Sequence, residues 1–414
     1  MNPVGPEWTP RTLGPGAQDR WQSAVSLGFG HTKPLYDFGV DDIERLGRRA
    51  WAVEDLGRIV GTSGDVTWDL TLPGGAAVPV GAILSVTTRP THRRRGVLNA
   101  LMSAQLGAMV SEGQAAAVLT ASEGGIYGRF GFGVATVQHR LEAPTGGHGL
   151  DHVPPGRIDL EVASVFRGEM KEFRQQVARH RPGTLSRPDF WWDRFVLGEH
   201  RSFEGGGSQF ASLHRNDDGE VDGYALWRRT GEWGEQCVEI RELHTLDPLV
   251  ELALFRHCAE IDLTATVVWP TAPPDTPIPA ATSDPRRCRV AGHRDQLWLC
   301  PLDVPALLAV RTYSAPLDVV LEIGGLRGVD GASQRLRLSA DGSGAVDVTE
   351  APSDPSGRPQ LSCDRATLGM AILGTTPWRT LVAAGRARVS HSDLIPALDA
   401  AFAAHPAAGS QDYF

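Results

Sequence analysis

The chain has 414 residues, with 40 lysines and arginines against 49 aspartates and glutamates, a formal net charge of −9, and 41% hydrophobic and 21% charged residues. That length suits two or three domains, the acidic balance argues against general nucleic-acid binding, and no apolar run of about 18 residues is present to cross a membrane as a helix. The five cysteines, Cys237, Cys258, Cys288, Cys300 and Cys363, are odd in number and never spaced C-x-x-C. A disulfide framework or zinc ribbon is therefore not expected, buried or half-buried thiols are, and a reducing cytoplasm is the expected location. Histidines show no H-E-x-x-H spacing, so no metal is expected.

The opening "MNPVGPEWTPRTLGPGAQDRW" reads as a Pro/Gly-rich lead-in without the apolar core of a secretion signal. Residues 36–64 mix a short helix with the start of a strand. Val66–Pro73 alternates as a half-buried strand does, and Val78–Thr88 is a continuous apolar strand. A basic loop, "RPTHRRRG", follows. Val97, Leu98, Leu101, Met102, Leu106, Met109 and Val110 then recur at helical spacing, with Gly113 past the end, and Ala115–Ala121 is a second buried strand. Strand, loop, helix and strand imply a parallel crossover. A second such unit is predicted from a strand at Cys237–Leu243, a helix at Leu249–Cys258 and a strand at Ala265–Trp269, with "HTLDP" where the basic loop stood. This is either a second copy of the fold without the ligand site or an unrelated α/β segment. Pro270–Arg287 reads as an exposed Pro-rich connection. Strands and then helices beyond it suggest a third, α+β unit. "RPDFWWDRF" reads as a packed helix rather than a stacking platform for nucleic acid.

The basic loop carries the chemistry. A helix beginning near Val97 has unpaired N–H groups and a partial positive charge at its start. With Gly96 for close approach and Arg93, Arg94 and Arg95 for charge, it suits a phosphate or diphosphate; the alternative is a solvated basic turn. "R-x-x-G-x" after a strand resembles the coenzyme A loop of the GCN5-related N-acetyltransferases, with Leu98 where the generic pattern has Gly or Ala. Together with "ASEGGIYGRFGFGVAT" (Ala121–Thr136) it closely resembles the enhanced intracellular survival family of acetyltransferases. The motifs cover Val78–Thr136.

That resemblance implies an α/β (α+β overall) fold class: tandem GCN5-related acetyltransferase folds followed by a sterol-carrier-like α+β domain. The expected boundaries are 1–150, 151–300 and 301–414, the middle domain lacking the diphosphate loop. It implies acetyl-CoA as acetyl donor, a small-molecule amine such as an aminoglycoside as acceptor, a link to antibiotic resistance, and a homohexamer. Residue by residue, Val86, Thr87 and Thr88 match pantetheine contacts, with Val86 N–H facing the thioester oxygen. Arg94, Arg95, Gly96, Val97, Leu98 and Asn99 match the phosphate site, with Arg93 at its edge. Ser122 and Glu123 match further coenzyme contacts.

Tyr127 matches the family's general acid, a phenol able to protonate the leaving thiolate; bare sequence favours a core aromatic beside Phe130 and Phe132, and the resemblance reverses that reading. Phe414 matches the terminal residue whose carboxylate is the base. Phe29, His31, Tyr36 and Tyr413 match the acceptor pocket, where the family has more acid. Asp37, Asp41 and Asp412 are candidates to compensate, and Trp68 is a candidate wall residue. Alternative readings are a protein-lysine or polyamine acetyltransferase, or a non-catalytic binding protein with an apolar-ligand C-terminal domain.

Overall fold

A computed structural model describes residues 8–32, 47–146, 150, 154–198, 208–232, 235–329, 331–351 and 357–414. Strands β1 (Arg11–Leu13), β2 (Arg49–Asp55), β3 (Arg58–Thr71), β4 (Ala77–Thr88), β5 (Ala116–Leu119) and β6 (Gly133–Val134) lie in a first sheet. A second sheet holds β7 (Val137–Pro144), β8 (Arg157–Val162), β9 (Gln209–Arg215), β10 (Val221–Thr230), β11 (Cys237–Thr245), β12 (Thr266–Ala272) and β13 (Arg289–Asp295). Then β14 (Trp298–Pro301) returns to the first sheet, between β5 and β6. The two sheets thus exchange strands: the chain crosses out after β6 into β7 and back from β13 into β14. A third sheet, ordered β17-β16-β15-β18-β19, is made of β15 (Leu317–Ile323), β16 (Gln334–Ala340), β17 (Val346–Glu350), β18 (Gln360–Cys363) and β19 (Ala387–Val389).

The helices that position the site are α1 (Gln18–Gly28), α2 (Val97–Ser111), α3 (Arg167–Ala178) and α4 (Pro248–Ala259); α5 (Val304–Val310), α6 (Arg365–Ala371), α7 (Trp378–Ala383) and α8 (Leu394–Phe402) follow. Both predicted crossovers form. β4 pairs parallel with β5 from Val80↔Ala116 to Ile83↔Leu119, with α2 between them. β11 pairs parallel with β12 from Cys237↔Thr266 to Glu239↔Val268, with α4 between them. A strand covered on both faces reads as an unbroken apolar run, and Val80, Ala82 and Ile83 are buried accordingly.

Leu101, Met102, Leu106 and Met109 of α2 are fully buried, whereas Val110 is exposed and Leu98 half-buried, so the helical stripe is narrower than its spacing predicts. Gly81 lets α2 approach β4: a Cβ there would lie 2.4 Å from the Met109 methyl. Gln105 ties α2 to β3. Its Oε1 accepts from Ser63 Oγ at 2.7 Å, and its Nε2 donates to Gly64 O at 3.0 Å and Asp65 Oδ1 at 2.7 Å. Such a bonded buried amide fixes helix position at little cost.

One reading needs correction. The Pro-rich stretch is no plain exposed connection: it contains a helical turn, Ile278–Ala281, with Ile278 fully buried. Its Asp275 Oδ1 accepts from Arg181 Nη1 at 2.9 Å, while Asp275 Oδ2 accepts from Ala407 N at 2.9 Å. The tryptophans of "RPDFWWDRF" do pack inside, with Trp191 and Trp192 both buried.

Candidate active site

Beyond Ile83 and Leu119, β4 and β5 stop pairing and splay. A bulge opens β4 at the same place: Leu84 faces Gly64 and Thr87 faces Thr62, leaving Ser85 and Val86 outside the ladder. Ser85 takes a left-handed φ of 54°, stabilised where Thr62 Oγ1 donates to Ser85 O at 3.0 Å. Bulges of this kind redirect main-chain groups beside sites, and this one falls where β4 and β5 part. Thr87 and Thr88 rejoin β3, with Thr87 Oγ1 2.7 Å from Thr62 Oγ1.

At the mouth of the gap Arg94 and Gly96 take φ of 60° and 87°, curling the loop into the start of α2. The N-cap of α2 is Gly96, which has no side chain to cap it, so first-turn N–H groups are available to an anion. In the second sheet's crossover the matching position is filled from within: Asp247 accepts from Leu249 N at 2.8 Å. The loop geometry therefore fits a diphosphate at Arg94 to Asn99, with the Arg93, Arg94 and Arg95 side chains exposed around it. Trp8 braces the loop from outside: its Nε1 donates to Arg95 O at 2.6 Å, and the Arg95 guanidinium lies 5.5 Å from its ring centre.

On the far side of the gap, β5 gives way to exposed Ser122 and Glu123 and a helical turn, Gly124–Tyr127. Tyr127 is 5% exposed, beside Phe132 with ring centroids 6.1 Å apart. Burial, and after it the negative charge of Glu123, push its hydroxyl up to about 12. It is therefore a protonated donor throughout the neutral range. Gly131 and Gly133, after it, lie against residues of the C-terminal domain. A Cβ on Gly133 would lie 1.9 Å from Ala366 O of α6, and a Cβ on Gly369 of α6 would lie 2.2 Å from Leu299 O of β14. Arg365, buried, donates through Nη1 to Pro301 O and Leu302 O, both at 2.9 Å.

The chain's end reaches this site. Thr120 Oγ1, one residue past β5, donates to the Phe414 oxygen at 2.9 Å. Trp68 of β3 packs against both the Phe414 ring and Trp191. The structure thus brings Phe414 to the same end of β5 that leads into Ser122, Glu123 and Tyr127.

Of the acceptor candidates, Phe29 and His31 are exposed just past α1. Gly28 presses α1 against the bulge, since a Cβ there would lie 2.4 Å from Thr87 Cβ. Tyr36, Asp37 and Asp41 lie outside the described residues. Tyr413 is 60% exposed. Asp412 does not supply acidity to the pocket. It is buried on Arg174 Nη2 at 2.6 Å and Arg187 Nη2 at 2.7 Å. Burial alone would raise its carboxyl, but the two guanidiniums outweigh it and hold the group below its ordinary range. Sequence reading also missed Thr120, Trp8 and both of these arginines, which lie in ordinary polar or mixed stretches that give no local signal of the role. Among the described residues, no group of three or more His, Cys, Asp or Glu is placed to hold a metal, and no helix is long and apolar enough to cross a membrane.

Residues 9–135 match the model of an acetyltransferase (GNAT) domain, 183–298 a second acetyltransferase (GNAT) model, and 304–408 a sterol carrier protein domain. The N-acetyltransferase Eis of Mycobacterium tuberculosis is 35% identical over 349 residues, 81% of this chain and 80% of that protein. The chain belongs to the Eis family of GCN5-related N-acetyltransferases. It is an N-acetyltransferase with tandem acetyltransferase folds and a sterol-carrier-like domain. An uncharacterized N-acetyltransferase of Streptomyces coelicolor is 35% identical over 92% of this chain and 93% of its own length. Among solved structures, Eis1 from Mycobacterium abscessus superposes with a TM-score of 0.82 at 28% identity, covering 98% of this chain and all of that one.

Proposed function

We propose that the chain transfers acetyl from acetyl-CoA to amines of a cationic small molecule such as an aminoglycoside, at more than one position where the acceptor offers several. In this reading the coenzyme diphosphate lies on the N–H groups opening α2, from Gly96 to Asn99, with Arg94 and Arg95 alongside. The pantetheine arm follows the splayed part of β4 at Val86, Thr87 and Thr88, with Ser122 and Glu123 across the gap. Val86 N–H faces the thioester oxygen as it gains charge. The Phe414 carboxylate, held by Thr120, takes the proton of the attacking amine directly or through water. Tyr127, kept protonated by its burial, donates to the departing sulfur. Positioning of amine and thioester supplies much of the acceleration.

The observation that carries this reading is the arrival of Phe414 at the C-terminal end of β5, 2.9 Å from Thr120 Oγ1. Phe29, His31, Tyr36 and Tyr413 form the acceptor side in the proposal. With Asp412 neutralised from within, the pocket is less acidic than its sequence suggests, so the acceptor carries fewer charges or is gripped more by its apolar faces. The domains run 1–150, 151–300 and 301–414 in this scheme, and the assembly is a cytoplasmic homohexamer. The test is a panel of amines, namely aminoglycosides, polyamines and lysine peptides, incubated with acetyl-CoA and scored by mass. Acetylated aminoglycosides support the assignment; acetylation confined to peptides or polyamines moves it to that acceptor.

A further inference from the structure

The second domain has the framework of a carrier cleft and none of the phosphate loop. Parallel pairing of β11 with β12 ends at Glu239↔Val268, and a bulge follows at Arg241, since Ile240 faces Trp227 and Glu242 faces Leu226. The first domain has the same arrangement, with pairing ending at Ile83↔Leu119 and a bulge beginning at Ser85. Leu243 stands as far beyond its last parallel pair as Thr87 does beyond Ile83.

This second cleft is filled by the chain's own tail. Gln411 Nε2 donates to Leu243 O at 2.7 Å, and Leu243 N donates back to Gln411 Oε1 at 3.0 Å. Across the gap, Trp269 Nε1 and Thr271 Oγ1 of β12 donate to the same Oε1 at 3.3 and 3.4 Å. The side-chain amide thus bonds to main-chain groups of one splayed strand and to side chains of the other.

The next residue is locked as firmly. Asp412 meets Arg174 and Arg187, and Arg187 also forms a two-pronged pair with Glu242 of β11 at 3.1 and 2.9 Å. Two guanidiniums and two carboxylates close a neutral cluster whose side chains are 3–9% exposed. Leu185 N donates to Asp412 Oδ2 at 3.2 Å, and Gln296 Nε2 donates to Asp412 O. Two residues later the chain reaches Phe414.

We infer that the cleft of the second domain, the counterpart of the coenzyme cleft in the first, is the receptor for the chain's own C-terminal tail, making Gln411, Asp412 and Arg187 positioning residues for Phe414. The second domain then contributes to transfer without binding a coenzyme, because the tail's amide occupies the cleft and Asp247 occupies the helix start. The inference rests on the proposed role of Phe414 only for its effect on turnover.

Full-length Gln411→Ala tests it. Loss of four hydrogen bonds is expected to speed carboxypeptidase release of Phe414 from the folded protein roughly tenfold or more. It should lower kcat by a similar factor, leaving the KM for acetyl-CoA unchanged. Trp269→Phe, which removes one donor and keeps the ring, should move both readouts the same way by a smaller factor and serves if Gln411→Ala does not fold. Calorimetry on the unaltered protein should find one acetyl-CoA site per chain. Unchanged carboxypeptidase release in both variants, or two sites per chain, overturns the inference. A variant lacking Phe414 separates the two claims: if its turnover is normal the base assignment fails, while the latch still stands or falls on tail release.

Discussion

Trp68 stands edge-on to Phe414, with ring centroids 5.1 Å apart and planes at 83°. Trp68 also meets Trp191, with ring centroids 4.9 Å apart, so the last side chain of the sequence joins an aromatic cluster anchored on β3. Trp68→Ala is expected to release Phe414 from that cluster, lowering kcat about tenfold or more. The lost packing should cost about 3–5 kcal/mol. Trp68→Phe, which keeps a ring in place, should recover most of both. Steady-state kinetics and thermal melts on the pair check this.

For Tyr127 the sign of the pH dependence is set by its raised value. An acid acts only while protonated, so its loss would appear as pH rises through about 12, above the working range. No basic limb of the kcat profile between pH 7 and 10 should belong to Tyr127. Tyr127→Phe should lower kcat by about 10²–10⁴ without removing any such limb.

Glu251, buried in α4, offers a contrasting titration. Burial pushes its carboxyl up to about 7, although Thr276 donates a hydrogen bond to it. A carboxyl raised in the folded state is fully tolerated below its unfolded value near 4.3. The folded form then loses stability as pH rises from there to about 7, by up to about 4 kcal/mol. Glu251→Gln should therefore raise Tm at pH 8 and leave it nearly unchanged at pH 4.

Gly133 is the point where the C-terminal domain rests on the catalytic sheet. With a Cβ only 1.9 Å from a backbone oxygen, Gly133→Ala must push α6 away. A cost of about 3 kcal/mol is expected, seen as a lower Tm. Because the same segment carries Tyr127, kcat should fall with it.

Arg94→Ala with Arg95→Ala should weaken acetyl-CoA binding about tenfold at low salt and much less at high salt, since exposed charges are screened. Titration calorimetry at two ionic strengths reads this directly.

The crossovers were legible because their signals are local. An apolar strand, a basic or acidic turn and a helical stripe each show within about fifteen residues, and Asp247 with Pro248 announces a capped helix start. The exchange of β7 and β14 was not, since β6 has two residues and β14 four, too short for any alternation, and their partners lie far away in sequence. The tail shows the same limit. Asp412 reads as pocket acidity in the sequence, while the two arginines that offset it lie 238 and 225 residues earlier. In "GRFGFG" the glycines were visible as a family motif, but their physical reason, the backbone of α6 lying against Gly133, exists only in three dimensions.

The most direct test of the account adds one alanine after Phe414. That change moves the carboxylate off Thr120 Oγ1, now 2.9 Å away, while leaving the loop before α2 untouched. Turnover with saturating acetyl-CoA and an acetylated amine is predicted to fall by about 10² or more, with the calorimetric affinity for acetyl-CoA unchanged. Normal turnover in the extended protein would contradict the account.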